Sequence, residues 1–237
     1  MALPLVNVTP KYELNIPSTG QLIRFRPYLV KEEKVLLMAF ESKDSRTILR
    51  AMLDIIGACI EEDIDLNSLA TFDVEFMFLK IRGKSVGETS NVVVKCKHCE
   101  ADNEVSINLD EVELTASEKS NVIELTQDIS IEMKYPSYSN MLDSNIMTED
   151  HTPNASDLIN VITQGISAVL TEEERFDAKD YSKEELEAFV DSLTSEQFTK
   201  LASFFDDMPQ LQHDINFACS SCGEQNSFEL SGMADFF

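Results

Sequence analysis

Apolar and polar residues alternate in two short runs near the start of the chain, Lys11–Ile16 and Gln21–Arg26. The four residues between them, Pro17-Ser18-Thr19-Gly20, are of the types that favour a tight turn, so the two runs predict a β-hairpin. Beyond Pro27, apolar residues recur at steps of three and four, which is typical of helices with one buried face. Three helices are predicted to pack into the main core: Val30 to Phe40, Asp44 or Ser45 to Ile60, and Thr71 to Ile81.

From Asn91 the pattern changes to β-branched residues with a period of two, which favours strands on both sides of the first cysteine pair. Two capping boxes, Ser182-x-x-Glu185 and Thr194-x-x-Gln197, mark the starts of later helices. The remaining predicted elements are strands at Val122–Leu125 and Ile129–Tyr135, a polar loop over Ser144–Ser156, helices at Asp157–Leu170, Glu184–Leu193 and Glu196–Asp206, and strands at Leu211–Cys219 and Ser227–Leu230. The pattern predicts an α+β fold.

Four of the five cysteines form two Cys-x-x-Cys pairs, and each pair lies between two β runs. The ten-residue stretches that begin at Cys96 and Cys219 align without gaps, as a weak internal repeat. A Cys-x-x-Cys turn at a strand end points two sulfurs to one side, so two facing turns complete a tetrahedral thiolate site. We therefore predict one structural zinc ion, bound by Cys96, Cys99, Cys219 and Cys222 in a zinc-ribbon-like unit.

Other interpretations of the cysteines stay open. They are a thiol redox pair, unliganded core cysteines, and replacement of one ligand by His98, although we expect His98 on the surface. Cys59 lies on an apolar helix face and is predicted to be a small buried hydrophobe. Four cysteine ligands leave no open coordination position, so metal-assisted catalysis is not expected.

The predicted organisation has two parts. Residues 1–90 hold the hairpin and the helical region, and residues 91–237 hold the zinc-ribbon-like β unit with a helical insertion at about 137–208. We expect both parts to form one compact unit.

The net charge of −24 disfavours nucleic acid and anionic membranes as partners. Zinc ribbons often bind nucleic acid, but only one cysteine turn is slightly basic here, so that function is a disfavoured alternative. The chain contains none of the common phosphate-binding, hydrolase or protease motifs, and its three histidines are dispersed. Its start lacks the pattern of a signal peptide. We predict a non-enzymatic protein without a small-molecule substrate, made in a reducing cytoplasm.

Two sets of residues are candidates for partner binding. Basic residues are scarce, yet Arg24, Arg26, Lys31 and Lys34 cluster in one segment, where the alternative is local pairing with Glu32, Glu33 and the acidic helices. Two consecutive aromatic residues, Phe236 and Phe237, end the chain and need a pocket. That pocket belongs either to this chain's own helices or to a neighbouring protein.

Several stretches together resemble the baseplate hub proteins of T4-like contractile-tailed bacteriophages, a family with a hub subunit and a related hub-assembly factor. The resemblance covers most of the chain but little of Ser137–Asp180. Besides the two cysteine pairs, it lies in Ile16-Pro17-Ser18-Thr19-Gly20, in the stretch from Arg24 to Lys34, in the stretch from Thr71 to Arg82 with Ser85-Val86-Gly87-Glu88, and in the last eight residues from Leu230.

The resemblance implies a structural or assembly role in the baseplate hub, with other hub and tail proteins as partners. Both family roles stay open: a subunit retained in the virion, or a tail assembly chaperone absent from the mature virion. The protein would be in the host cytoplasm during assembly and, as a retained subunit, in the tail baseplate.

Overall fold

The computed structural model describes residues 9–42, 44–115, 120–143 and 155–236. The chain divides into two compact units: Met1–Thr115 with Gln210–Phe237, and Ala116–Pro209, which is inserted into the first. This division differs from the predicted boundary at residue 90 and from a single compact unit. The helical region and both cysteine hairpins share the first unit because Leu79 of a helix packs in the same buried cluster as Val92 and Ile215.

The first unit begins with the predicted hairpin, which is confirmed. Strand β1 (Tyr12–Asn15) pairs antiparallel with β2 (Leu22–Phe25). Gly20 has a φ of +68°, a conformation that glycine adopts without steric cost, and it closes the turn by donating its N–H to the Ile16 carbonyl at 2.8 Å. The predicted helices follow as α1 (Val30–Ser42), α2 (Ser45–Cys59) and α3 (Thr71–Val86).

A buried carboxylate joins this hairpin to the start of α3. Asp73 is fully buried in the first turn of the helix and accepts hydrogen bonds from the Ser18 N–H at 2.9 Å and the Ser18 hydroxyl at 2.6 Å. It also accepts the N–H of Ala70 at 3.2 Å, so one side chain both caps the helix and holds the hairpin turn. Two stretches that carry the family resemblance therefore meet at this contact.

Two further hairpins carry the cysteine pairs. Strands β3 (Thr89–Lys95) and β4 (Asp102–Asn108) form one antiparallel pair, and β10 (Leu211–Ala218) and β11 (Gln225–Ser231) form the other. The short β5 (Glu113–Leu114) pairs with the start of β10, so the strand order in that sheet is β11-β10-β5. Side chains from these strands, from α3, from the segment after β4 and from the chain end form one buried cluster: Leu79, Val92, Ile107, Leu109, Val112, Leu211, Ile215, Leu230 and Phe236.

The chain end packs into that same cluster. Residues Met233–Phe236 form a 3-10 turn, the Phe236 side chain is completely buried, and the Phe236 carbonyl accepts the Ser90 hydroxyl at 2.9 Å. Of the two pockets considered above, the structure shows Phe236 in one made by its own chain, although strands contribute to it as well as a helix. Phe237 lies outside the described residues.

The second unit is a sheet with helices. Its elements are β6 (Val122–Glu124), β7 (Ile129–Met133), α4 (Tyr138–Asp143), α5 (Ala155–Gly165), β8 (Ile166–Thr171), β9 (Arg175–Asp177), α6 (Lys183–Asp191) and α7 (Ser195–Phe205). The four antiparallel strands have the order β6-β7-β8-β9, and Ile131, Met133, Ile162 and Phe204 are among the buried residues of the core. Both predicted capping boxes are confirmed.

The insertion differs from its prediction at one important point. The helix predicted over Asp157–Leu170 ends at Gly165, and the chain continues as strand β8 in the middle of the sheet. Gly165 sits where a Cβ atom would lie only 2.5 Å from Cζ of Phe205, so α7 packs directly against the backbone at this turn. The polar loop predicted over residues 144–156 lies, except for its last two residues, outside the described residues.

No helix in the described ranges is long and apolar enough to cross a membrane.

Candidate metal centre

The two cysteine turns have the same backbone hydrogen bonds. In the first turn, the Cys96 N–H donates to the Ala101 carbonyl at 2.9 Å, and the Glu100 N–H donates to the Cys96 carbonyl at 3.0 Å. The second turn repeats both bonds at equivalent positions. There, the Cys219 N–H donates to Glu224 and the Gly223 N–H donates to Cys219, each at 2.9 Å. The gap-free alignment of the two stretches thus corresponds to a repeated local structure.

The residue after the second cysteine has a positive φ in both turns. Glu100 has a φ of +58° and Gly223 a φ of +78°, and Glu100 is the one non-glycine residue with a positive φ in the part of the chain that the structure describes. Glycine adopts this conformation without steric cost, as at Gly223, whereas the side chain of Glu100 makes it less favourable. The two turns therefore share their backbone conformation at this position as well as their hydrogen bonds.

The four sulfurs meet between the hairpins. All four lie within 4.8 Å of one another, with Cys96 Sγ 3.8 Å from Cys222 Sγ and Cys99 Sγ 3.6 Å from Cys219 Sγ. A zinc–sulfur bond of about 2.3 Å in a tetrahedron corresponds to a sulfur–sulfur edge of roughly 3.8 Å. The donor set and its spacing therefore fit a four-thiolate metal ion.

Backbone N–H groups stabilise the thiolate forms of Cys96 and Cys219. The Ser221 N–H donates to Cys219 Sγ at 3.4 Å, and the N–H groups of Cys222 and Ser221 lower the pKa of Cys219 to about 6. Burial acts against ionisation of Cys96, but hydrogen bonds from His98, Cys99 and Asn226 outweigh it and lower its pKa. Because metal ligation needs thiolates, these N–H groups favour the metal-binding form.

The pKa of Cys222 shifts in the opposite direction because of where its sulfur lies. The Glu224 N–H lowers the pKa of Cys222, but desolvation and the neighbouring cysteine sulfurs outweigh it and raise this pKa to about 12. Several thiolates so close together repel one another unless a cation lies among them. Cys96 and Cys219 are buried whereas Cys99 and Cys222 are exposed, so one side of the cluster faces solvent.

Two asparagines connect the hairpins beside the sulfurs. Asn103 Oδ1 accepts the Ser220 N–H at 2.9 Å, and Asn226 Oδ1 accepts the Lys97 N–H at 2.9 Å. Sequence reasoning missed both residues. The signal was present, because the two asparagines occupy the same position in the ten-residue repeat.

The other candidates lie outside the four-sulfur cluster. The His98 backbone N–H donates to Cys96 Sγ at 3.4 Å, and the residue is exposed on the turn. Cys59 is buried on α2, and burial raises its pKa to about 11, in agreement with a packing role.

Three of the four basic candidates form ion pairs within the chain. Arg26 bonds Glu32 Oε1 at 3.0 Å, and Lys31 lies 3.2 Å from the same oxygen. Arg24 Nε is 3.2 Å from Glu62 Oε1. The pairs of Arg26 and Lys31 with Glu32 are the local pairing considered as the alternative, whereas Arg24 pairs with an acidic residue after α2. A partner interface at these residues stays a prediction. Lys34 is exposed on α1.

The same helix exposes several large apolar side chains. Val30, Leu37 and Met38 are 65%, 56% and 70% exposed, and Lys34 lies within the same stretch. Residues seven and eight positions apart lie close to the same face of a helix. The outer face of α1 is therefore largely apolar, with one basic residue, Lys34, and one acidic residue, Glu41, at its edge.

Comparison with known protein families identifies the family to which nearly the whole chain is similar. The family described as T4 bacteriophage base plate protein matches residues 9–237, nearly the whole chain. No curated protein and no solved structure matches.

Proposed function

Because the chain belongs to the T4 bacteriophage base plate protein family, we propose that it is a non-enzymatic component of the baseplate hub, built around one structural zinc ion. Family membership supports a structural role in the phage baseplate, in the virion tail, with other baseplate and tail proteins as partners. The protein would take part in assembly of the hub, beginning in the host cytoplasm, and the zinc ion would stabilise its fold.

The observation that carries the zinc proposal is the meeting of four sulfurs from two separate hairpins. The two measured sulfur pairs are 3.6 and 3.8 Å apart, close to the edge of a zinc–thiolate tetrahedron. In this interpretation β3-β4 and β10-β11 form a zinc-ribbon-like unit. Four protein ligands fill the coordination sphere, so the ion would stabilise the fold without providing a site for substrate.

Metal analysis of the purified protein tests this proposal. We expect about one zinc per chain, and Cys219→Ser should lower that content and make the two cysteine hairpins sensitive to protease. Cys59→Ala is the matched control, since it removes a buried cysteine outside the cluster and should leave the zinc content unchanged. Zinc near zero in the wild-type protein from zinc-replete medium would contradict the proposal.

We place the partner-binding surface on the outer face of α1. Apolar side chains that remain exposed on one helix face lose water-accessible area when a partner covers them, which favours association. Residues 22–60 contain seven Lys and Arg against five Asp and Glu, whereas the whole chain has a net charge of −24. The segment that contains α1 is therefore weakly basic in a strongly acidic chain, although α1 itself contains Lys31 and Lys34 beside Glu32, Glu33 and Glu41. The exposed apolar side chains of α1, more than its charge, carry this placement.

Substitutions on α1 test the surface. Leu37→Ser with Met38→Ser, and separately Lys34→Glu, should weaken co-purification with co-expressed baseplate proteins while the melting temperature stays close to that of the wild type. Val93→Ser is the matched control, because Val93 is 68% exposed on β3. Reversal of Arg26 is less suitable, since it removes the ion-pair partner of the buried Glu32. Full retention of binding would contradict this placement.

Mass spectrometry of purified virions separates the two hub roles. A retained hub subunit should be present in amounts similar to those of other hub proteins. A tail assembly chaperone should co-purify with assembly intermediates and be absent from mature particles.

A further inference from the structure

We infer that Asn103 and Asn226 form a reciprocal clamp that docks the two cysteine hairpins on each other and positions their sulfurs for metal. The inference rests on the proposed zinc site, but the clamp itself is made of hydrogen bonds that contain no metal.

The clamp is reciprocal in its geometry. Each asparagine lies four residues after the second cysteine of its own turn, and its Oδ1 accepts the N–H of the residue after the first cysteine of the other turn. Asn226 holds Lys97 in this way, and Asn103 holds Ser220, both at 2.9 Å. Each hairpin therefore provides one acceptor and one donor to the other.

The second half of each amide fixes the asparagine to its own hairpin. Asn103 Nδ2 donates to the Ala101 carbonyl at 2.8 Å, and Asn226 Nδ2 donates to the Glu224 carbonyl at 3.0 Å. Both side chains are buried and are shielded from water in the folded protein. These hydrogen bonds therefore satisfy polar groups that water would otherwise satisfy. The amide uses a donor and an acceptor on two separate atoms. An aspartate carboxylate has no donor, alanine has neither group, and a serine hydroxyl has both only on a single oxygen, so none of them can replace it.

The two asparagines are not equal in their contact with the sulfurs. Asn226 Nδ2 also donates to Cys96 Sγ at 3.4 Å, whereas Asn103 Oδ1 accepts a second bond from the Ser220 hydroxyl at 3.0 Å. Asn226 therefore touches a metal-ligating atom directly, and Asn103 acts through the backbone of the opposite turn. Groups that hold metal ligands in place typically change metal affinity about 10–100-fold when they are removed.

A third contact docks the hairpins at the same place. The Lys97 side chain crosses to the other hairpin, where its ammonium bonds the Ser227 carbonyl and lies 4.4 Å from the centre of the Phe228 ring. Phe228 is stacked on Phe217 of the neighbouring strand. Because this contact also involves no sulfur, the docking of the hairpins does not depend on the ion alone.

Amide hydrogen exchange on the full-length protein tests the clamp, with the substitution on one hairpin and the amide that is measured on the other. Asn226→Ala should speed exchange at the Lys97 amide at least tenfold, and Asn103→Ala should do the same at the Ser220 amide. Each substitution thus acts on the other hairpin. Asn216→Ala, at an exposed position on β10, is the control and should change neither amide.

A second pair of variants covers the case in which the alanine variants fail to fold. Asn226→Asp keeps the oxygen that accepts the Lys97 N–H but loses the donor to Cys96 Sγ. It should retain protection of Lys97 while zinc affinity, measured by competition with a chelating dye, falls at least tenfold. Asn103→Asp should retain protection of Ser220 with a smaller loss of affinity, because the hydrogen bonds of Asn103 within the described residues go to Ala101 and Ser220 and not to a sulfur.

The outcomes distinguish the clamp from the zinc proposal. If the protein binds zinc but neither alanine variant changes exchange on the opposite hairpin, the clamp is overturned and the zinc site stands. If exchange changes crosswise in a protein that binds no zinc, the docking role stands and the positioning role fails together with the zinc proposal. Equal loss of protection throughout both hairpins in both variants would also contradict a local clamp.

Discussion

Glu75 provides a quantitative test of the core around α3. It lies within the helix between the buried residues Val74 and Met77, and burial alone raises the pKa of its carboxyl group to about 7. At neutral and higher pH the folded protein must therefore hold a carboxylate in a poorly solvated place, which costs free energy of folding.

The size and sign of this cost follow from the shift. The ordinary pKa of 4.5 and the folded value of about 7 differ by roughly 2.5 units, which corresponds to about 3 kcal/mol. Because the folded pKa is the higher one, the folded state binds more protons between these values. Below about pH 4.5, Glu75 is protonated in both states and causes no loss of stability. The loss of stability begins as the pH rises above this value, and it reaches its full size above about pH 7.

Replacement by an uncharged amide of similar shape should remove the pH-dependent part. We expect Glu75→Gln to raise the free energy of unfolding at pH 8 by as much as about 3 kcal/mol, with little gain at pH 4. Denaturant unfolding at pH 4, 6 and 8 measures this difference, and Glu104→Gln, at an exposed position on β4, is the control. An equal gain at pH 4 and pH 8, or no gain at all, would refute the reasoning.

Three other changes test how the first unit is held together. Asp73→Ala should lower the free energy of unfolding by on the order of 3 kcal/mol, because two N–H groups and a hydroxyl lose their acceptor; denaturant unfolding would show no change if these bonds contributed nothing. Phe236→Ala should cost about 3–5 kcal/mol, and an unchanged melting temperature would contradict its role in the core. Replacement of residues 116–209 by a short Gly/Ser linker should preserve the zinc content, because the Thr115 N–H donates to the Gln210 carbonyl at 2.9 Å and the linker has little distance to span. Metal analysis measures the zinc content, and loss of zinc would contradict this prediction.

The position of the cysteine cluster could be predicted because its signals are local. The spacing within each Cys-x-x-Cys pair fixes the shape of a turn, and the repeat indicates two equivalent turns. What brings the turns together is non-local. The pairing of β5 with β10 and the burial of Leu79 beside Ile215 join residues far apart in sequence, and hydrophobic periodicity shows only that such residues are buried.

The wrong helix boundary at Gly165 has a physical explanation. Residues 157–170 carry apolar side chains at steps that suit either a helix or a buried strand, and short apolar runs are ambiguous in this respect. Contact with Phe205 and pairing of β8 with β7 and β9 decide the outcome, and neither can be seen from the run itself. Tertiary contacts overrode local preference here.

The first unit can accommodate the inserted residues because the chain leaves it and returns to it at neighbouring positions. Leu114 of β5 and Leu211 of β10 are paired, so the chain departs and returns at neighbouring positions of one sheet. The entropy cost of closing such a connection grows only with the logarithm of its length, about 0.6 kcal/mol for each doubling. The length and sequence of the insertion are therefore weakly constrained by the first unit. The contacts at Asp73, Phe236 and the cysteine turns depend on particular atoms of residues far apart in the sequence, so the residues that make them are more strongly constrained.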